Sequence, residues 1–250
     1  MSAPARAYKT LGVVLRGRNL GEADRILTLF TTERGKVDAV AKGVRRTKSH
    51  LAGRLEFMNE VRLGMHRGRN LDVITSAEIE CAHWNGIVAP EAFAAASLIA
   101  ELLDAFCEPD LALPDIYELL TGAIAAVDGS PHPLELLPRF SLRLLEALGL
   151  APPPEHCARC GAPLEGRPAW LDPEAGGLAG EECRVTWRQV LELDVVDVAN
   201  FRALGARKGG PVRPVARATP AVARAIETLV NHHLGRRLKA GLHAAEFVTG

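Results

Sequence analysis

The chain has 250 residues, of which 48% are hydrophobic and 24% charged, so it can form a buried core and does not have the composition of a disordered protein. No window offers the roughly 20 uninterrupted apolar residues of a membrane span, and no apolar run follows Arg6 and Lys9 as in a signal peptide, so a cytoplasmic protein is expected. The net charge of zero is unevenly distributed: residues 1–80 carry 15 Lys and Arg against 9 Asp and Glu, residues 81–150 carry 2 against 10, and residues 151–250 carry 13 against 11.

The first 80 residues have the pattern of short strands. Five apolar or alternating runs are separated by turn residues, with a tight hairpin predicted at Arg34-Gly35-Lys36 and Gly64 and Gly68 on either side of the fourth connection. Five short strands in this length predict a closed oligonucleotide-binding (OB) barrel. The predicted strands are Leu11–Leu15, Ile26–Phe30, Lys36–Ala41, Leu55–Leu63 and Leu71–Ala77.

The hydrophobic period becomes helical near residue 90. Helices are predicted from Pro90 to Phe106, from Pro114 to about Val127 and from Pro133 to Leu148, where Gly149 ends the third, and together they predict a small bundle. Residues 151–185 form a turn-rich cysteine insert.

The last part of the chain returns to a helical pattern. Thr186 and Gln189 predict a helix start there, Gly205–Pro214 a basic loop, and Thr219 the cap of a last helix running to about Phe247. The whole is therefore predicted as an α+β protein in four parts: an OB barrel (1–80), a helical domain (81–150), a cysteine insert (151–185) and C-terminal helices completing the helical domain (186–250).

The basic residues of the barrel predict a DNA-binding face. Lysines and arginines are densest at residues 42–54, where they would replace counterions along a phosphate backbone. An ordinary solvated surface is the alternative, and the acidic segment 81–150 is expected to stay off DNA. The predicted face consists of Arg16, Arg18, Lys36, Lys42, Arg45, Arg46, Lys48, Arg54, Arg67 and Arg69.

Aromatic residues are scarce in this segment. It contains Tyr8, Phe30 and Phe57 and no tryptophan, and both phenylalanines lie in apolar runs typical of a core. Because base stacking needs exposed aromatic platforms, we expect binding to the backbone of both single- and double-stranded DNA, with little sequence preference and a steep salt dependence.

The five cysteines are an odd number, which argues against a disulfide framework. Cys157 and Cys160 form a CxxC knuckle, and Cys183 is a candidate third ligand for a structural zinc ion. A second CxxC is broken because Gly180 takes the place of its first cysteine. The fourth ligand stays open between His156, Asp172, Glu181, Glu182 and water, and a metal-free insert packed around Trp170 and Leu171 is the alternative.

No catalytic motif is present: the chain has no GxxxxGK[ST], GxSxG, HExxH or dinucleotide-binding fingerprint. We therefore expect no enzymatic activity and no catalytic residue. Two other functions stay open, a protein scaffold whose basic face binds an acidic peptide tail and an enzyme that uses the cysteine-bound zinc.

Several strings of the sequence resemble bacterial RecO recombination mediators. The most specific is GEADRILTLFT, from Gly21 to Thr31, and the stretch from Phe140 to Gly149 precedes the CxxC at the distance usual in that family. The similarity covers nearly the whole chain and weakens after residue 185. The other matching strings lie at residues 11–16, 35–37, 41–46, 49–53 and 71–73.

The resemblance implies an OB barrel, a helical domain and a zinc-ribbon-like insert. It also implies a non-enzymatic protein that binds DNA, anneals complementary strands and, with the partner RecR, helps RecA replace single-strand binding protein, whose acidic C-terminal tail it contacts. Gly180 departs from the four-cysteine pattern of the family. Within the barrel, Glu22 and Asp24 are interpreted as ion-pair partners that fix a loop.

Overall fold

The computed structural model describes residues 6–83, 89–151, 155–186, 190–205 and 217–235. The chain divides into two compact units, Met1–Ser130 and Pro131–Gly250. A five-stranded barrel followed by helices confirms the predicted α+β class. The predicted four-part division of the chain stays a prediction. In the described part of the chain, no helix is both long and apolar enough to cross a membrane.

The barrel of the first unit closes in the order β1-β2-β3-β5-β4. Neighbouring strands are antiparallel except β3 and β5, which run parallel where residues 39–41 meet residues 72–74. Its interior is lined by buried aliphatic side chains such as Val14, Leu29 and Leu63. The strands are β1 (Ala7–Leu20), β2 (Asp24–Thr31), β3 (Gly35–Ala41), β4 (Glu60–His66) and β5 (Asp72–Cys81).

Strand β1 is much longer than the predicted Leu11–Leu15 because it belongs to both halves of the barrel. Residues 7–13 pair with β4, and residues 12–20 pair with β2. The register shifts between Val14 and Arg16, and a bulge of this kind bends a strand and increases its twist. The C-terminal end of β1, which contains Arg18, leads into the exposed β1–β2 connection.

The fourth strand begins later than the predicted Leu55–Leu63. Residues 52–54 form a short 3-10 turn, and Met58 has a φ of +62°, so the chain bends here and does not extend. Leu55 and Met58 are fully buried in this bend. Their apolar side chains therefore give the sequence the same pattern as a buried strand. Gly64 lies inside β4 and not in the connection after it. A Cβ at this position would lie 2.4 Å from Ser76 Oγ of the neighbouring strand, which favours a glycine here.

The predicted hairpin between β2 and β3 is confirmed. Gly35 has a φ of +60°, and a Cβ at this position would lie 1.9 Å from the carbonyl oxygen of Leu111. The segment that contains Leu111 runs beside β3, where the backbone N–H of Asp110 donates to the carbonyl of Lys36 at 2.9 Å. Only glycine allows both the turn and this close approach.

The helices fall in both units. In the first, α1 (Pro90–Phe106) and α2 (Pro114–Asp128) begin at the predicted prolines and contact each other, and α1 also contacts β1. In the second, α3 (Leu137–Ala147) follows a 3-10 turn over Pro133–Leu136 and contacts α4 (Val195–Gly205) and α5 (Pro220–Leu234). Gly149, with a φ of +71°, ends α3 as predicted.

The second unit also contains a small three-stranded sheet in the order β7-β6-β8, built from β6 (Ala169–Asp172), β7 (Gly177–Ala179) and β8 (Glu192–Leu193). A helix starting at Thr186 is therefore wrong: Gln189 lies outside the described residues, β8 follows, and α4 begins only at Val195. The start of α4 is set by Asp194, whose carboxylate accepts the N–H of Asp197 at 2.8 Å.

The last helix has the predicted cap, since Thr219 Oγ1 accepts the N–H of Val222 at 3.2 Å. It ends at Leu234 and not near Phe247, because Gly235 adopts a φ of +61° that terminates the helix. Phe247 itself lies outside the described residues, as do residues 206–216 of the predicted basic loop.

Candidate nucleic-acid interface and cysteine cluster

The segment of residues 42–54, called here the cationic segment, follows β3 and is held by turns. Gly43 has a φ of +64°, and successive turns are closed by hydrogen bonds from the N–H of Arg46 to Gly43 at 3.1 Å and from the N–H of Ser49 to Arg46 at 2.9 Å. The turns leave the basic side chains in solvent. The exposed residues are Lys42, Arg45, Arg46, Lys48 and Arg54.

The β1–β2 connection holds the cationic segment through three hydrogen bonds. The carboxylate of Asp24 accepts the N–H of Gly43 at 2.7 Å. Arg45 donates its N–H to Ala23 at 2.9 Å and its Nη1 to the carbonyl of Gly21 at 3.2 Å. The connection thereby sets the position of the exposed cations relative to the barrel.

Glu22 and Asp24 are predicted to fix this loop as ion-pair partners, and the contact observed for Asp24 differs from that prediction because it is a hydrogen bond to the backbone. Asp24 fixes the loop through the backbone of Gly43, whereas Arg25 pairs with Glu56 at 3.6 Å. Arg18 is exposed near the C-terminal end of β1, where it pairs with Ile26 of β2, and it lies close in sequence to the same connection. The structure thus brings Arg18 and the cationic segment to one part of the barrel. Arg54 lies at its far end, where Nη1 donates to the carbonyl of Ala77 at 3.1 Å.

Two of the predicted cations face an acidic residue of α1. Arg16 Nη2 lies 3.1 Å from the carboxylate of Asp104, and Lys36 Nζ lies 3.4 Å from the same carboxylate and also donates to the Asp104 carbonyl. The side chain of Lys36 is only 14% exposed. The acidic segment of the sequence therefore neutralises part of the basic barrel, and Lys36 holds α1 against β3.

The last two predicted cations lie elsewhere, in the β4–β5 connection. Arg67 places its guanidinium 5.8 Å from the ring centroid of Tyr8, and Arg69 is exposed. The contacts that tie the cationic segment to the β1–β2 connection do not involve them. The ten predicted residues are therefore distributed over three places of the barrel.

Arg34 is at the centre of a network of hydrogen bonds and ion pairs that the sequence patterns do not indicate. Its guanidinium bonds to Tyr8 Oη at 2.7 Å and pairs with the carboxylates of Asp72 and Asp110. Burial raises the pKa of Asp72, but hydrogen bonds from Tyr8 and Arg34 outweigh it and hold that pKa below its usual value. Burial and the hydrogen bond to Asp72 raise the pKa of Tyr8 to about 12. These partners are far apart in sequence, so no local pattern marks them.

A cavity of about 330 Å³ opens beside this network. Carboxylates outnumber cations in its lining, so it does not suit a phosphate group. The charged lining residues are Arg34, Lys36, Asp38, Asp72, Asp104 and Asp110.

The aromatic residues of the barrel are engaged within the first unit. Phe30 is fully buried, as predicted. Phe57 packs against Phe93 of α1 with ring centroids 5.4 Å apart, and the Tyr8 hydroxyl donates to Asp72. Tyr8 and Phe57 are half-buried, so Phe57 does not have the fully buried core position expected for it, and both rings contact other side chains of the first unit.

The three predicted metal ligands lie together. The sulfur atoms of Cys157, Cys160 and Cys183 are all within 4.8 Å of one another, and Cys157 is buried. The 3-10 turn over Glu181–Cys183 carries the third sulfur to the knuckle. Three sulfur donors at this spacing fit a zinc ion, which binds thiolates at about 2.3 Å.

None of the four candidate side chains joins this group in the described part of the chain. The carboxylate of Asp172 is buried and accepts from Arg159 Nε and from the N–H of Ala175 at 3.2 Å. His156, Glu181 and Glu182 are exposed.

Contacts within the cluster and with the backbone shift the pKa values of its thiols. Burial raises the pKa of Cys157, but N–H groups of Cys160, Gly180 and Arg159 outweigh this and lower it to about 7. Hydrogen bonding to Cys160 and Cys157 raises the pKa of Cys183 to about 11. Beside the cluster, Trp170 is buried and carries the Arg184 guanidinium 5.0 Å from its ring centroid.

Two family models match almost the whole chain. The model described as recombination protein O, N terminal, covers residues 5–81, and the one described as recombination protein O, C terminal, covers residues 89–245. The first match coincides with the barrel, and the second covers the helices and the cysteine cluster.

Curated relatives agree with these matches. The DNA repair protein RecO of Nocardioides sp. is 38% identical over 248 residues, which are 96% of this chain and 98% of the relative. The proteins of the same name from Bifidobacterium adolescentis, at 40% identity over 76% of this chain and 81% of the relative, and Cutibacterium acnes, at 39% over 71% and 74%, are also similar. The chain therefore belongs to the recombination protein O (RecO) family of DNA repair proteins.

Proposed function

We propose that this chain is a recombination mediator that binds single- and double-stranded DNA through the cationic segment. The observation that carries the proposal is a row of exposed cations whose backbone is tied to the β1–β2 connection by three hydrogen bonds. Ordered cations neutralise phosphates without a large loss of loop entropy. Because the barrel aromatics are engaged, recognition is of the backbone and not of the base sequence.

The proposed work on DNA is annealing without catalysis. Exposed Arg45, Arg46 and Lys48 lower the repulsion between two strands held near the same segment. No bond is made or broken in this process, so it requires no nucleotide and no catalytic residue. The acidic segment, which supplies Asp104 to Arg16 and Lys36, limits the area over which DNA is attracted.

The proposed partners follow from membership of the family. We expect the chain to act with RecR, to contact the acidic tail of single-strand binding protein, and in this way to help RecA load on DNA in the cytoplasm. The alternative function, a scaffold whose cationic segment binds an acidic peptide and not DNA, uses the same exposed cations. Competition between an oligonucleotide and an acidic peptide separates the two functions, since a shared site predicts mutual exclusion.

A zinc ion is the proposed cofactor of the second unit. Cys157, Cys160 and Cys183 are the residues that would hold it, and the ion would supply cross-linking of the turn-rich insert and no chemistry on DNA.

The experiment is a salt titration of DNA binding. The triple variant Arg45→Ala/Arg46→Ala/Lys48→Ala is compared with Arg167→Ala/Arg184→Ala/Arg224→Ala, which removes the same charge from exposed residues of the second unit. The first variant is expected to flatten the salt slope on duplex DNA by about 2–3, since each phosphate contact contributes about 0.9. Equal slopes for wild type and both variants would contradict the proposal.

A further inference from the structure

The cysteine cluster is built on a knuckle whose backbone points N–H groups at a sulfur. The N–H of Gly161 donates to the carbonyl of Cys157 at 2.9 Å, and the N–H of Gly180 lies 3.5 Å from Cys157 Sγ. The backbone N–H groups of Arg159 and Cys160 also lie near this sulfur. These bonds fix the position of the Cys157 sulfur relative to Cys160 and Cys183, and fixed positions lower the cost of ordering ligands around an ion.

Gly180 marks the place of the missing fourth sulfur. Its backbone contacts Cys157 Sγ directly, and it stands three residues before Cys183, the spacing of a second CxxC. Its φ of −75° and ψ of 170° are ordinary for any residue. A Cβ at this position would meet only Leu164 Cδ2, at 3.3 Å. The backbone therefore does not demand a glycine here, and a Cβ is accommodated once the end of the Leu164 side chain shifts by a few tenths of an ångström.

The rest of the described insert offers no replacement ligand at the cluster. The group of metal-binding side chains in the described residues has three members, all cysteines. The Asp172 carboxylate is already held by Arg159 and the backbone of Ala175. Cys160 is exposed and Cys183 half-buried, so solvent and small molecules reach the sulfurs.

We propose that the cluster binds one thiophilic divalent ion through three thiolates and leaves the fourth coordination position to an exogenous ligand, either water or a small nitrogen or sulfur donor. Binding converts the three thiols to thiolates and releases their protons to solvent. Structural zinc sites are usually closed by four protein ligands, whereas an open position allows the ion to take up outside ligands and to exchange. The inference does not depend on DNA binding.

The test uses Co²⁺ as a spectroscopic probe of the full-length, reduced and metal-free chain. Wild type is expected to develop thiolate-to-cobalt charge-transfer absorption and the d–d bands of a four-coordinate ion, and added imidazole is expected to shift the d–d bands saturably. Gly180→Cys closes the site, so imidazole no longer shifts its bands. This variant is also expected to bind Co²⁺ at least about tenfold more tightly, because even outer-shell partners of metal ligands contribute about 10–100-fold.

Two control variants separate the thiol from other effects. Gly180→Ala adds the same Cβ without a sulfur and is expected to keep the wild-type response to imidazole. Cys81→Ser removes an exposed thiol on β5 of the first unit, which is not a member of the cluster, and is expected to leave the spectrum unchanged.

Three results would overturn the proposal. A cobalt spectrum without thiolate charge transfer would show that the three sulfurs do not bind the ion. Wild-type d–d bands that ignore imidazole would show that the chain itself supplies a fourth ligand. A metal-dependent dimer in sedimentation would assign the fourth ligand to a second copy. Should Gly180→Cys fail to fold, the imidazole titration of wild type decides the question alone.

Discussion

Replacing Asp24 by alanine and, separately, by asparagine isolates the hydrogen bond that holds the cationic segment. Both variants remove one negative charge, but only asparagine keeps an oxygen that can accept the N–H of Gly43, now at 2.7 Å from the Asp24 carboxylate. The two variants therefore differ in positioning and not in charge. A net contribution of about 1 kcal/mol is expected for one such hydrogen bond.

This energy sets the size of the expected effect on DNA binding. If the bond orders the segment for phosphate contact, Asp24→Ala binds DNA about fivefold more weakly than Asp24→Asn at the same salt concentration, since about 1.4 kcal/mol corresponds to tenfold. The salt slopes of the two variants are expected to be equal, because the number of cations is the same. Fluorescence anisotropy with a labelled oligonucleotide at several salt concentrations measures both quantities. Equal affinities of the two variants would refute the positioning role of Asp24.

Further predictions concern the first unit. Arg34→Ala is expected to destabilise the chain in urea by about 3 kcal/mol, because it leaves the buried Asp72 carboxylate without its cation; a change below 1 kcal/mol would be inconsistent with this. The Asp72 pKa lies below its usual value, so its stabilisation is present above about pH 4 and is lost as the pH falls further; Arg34→Ala is expected to move this acid loss to higher pH, measured by unfolding between pH 2 and 6. Gly35→Ala is expected to destabilise the hairpin by more than about 1 kcal/mol, since its Cβ would overlap Leu111; wild-type stability would contradict this.

The sequence predicts the barrel well because strand spacing and turn residues are local signals. The tight turn at Gly35 and the starts of α1 and α2 at Pro90 and Pro114 are where local chemistry expects them. The fourth strand is misplaced because Leu55 and Met58 are apolar for burial in a bend, and burial alone does not distinguish a bend from a strand.

In the candidate sites too, features set by neighbouring residues are predictable from the sequence, and contacts between distant residues are not. The cysteine cluster is predictable because the CxxC spacing is short and the chemistry of sulfur is specific. The role of Lys36 is not, since its amine is held by Asp104, which lies 68 residues further along the chain. Charge predicts a basic surface, but the pairing of each cation depends on which acidic side chain the fold brings next to it. The basic side chains of the cationic segment face solvent, whereas the amine of Lys36 is held by Asp104.

The central claim, that the cationic segment binds and anneals DNA without catalysis, is tested most directly by one measurement. The rate of annealing of two complementary strands is followed by fluorescence, in the absence of nucleotide, for wild type and for Arg45→Ala/Arg46→Ala/Lys48→Ala. Wild type is expected to accelerate annealing, and the triple variant is expected to lose most of that acceleration while it remains folded. Annealing that requires ATP, or that proceeds at the wild-type rate in the folded triple variant, would contradict the account.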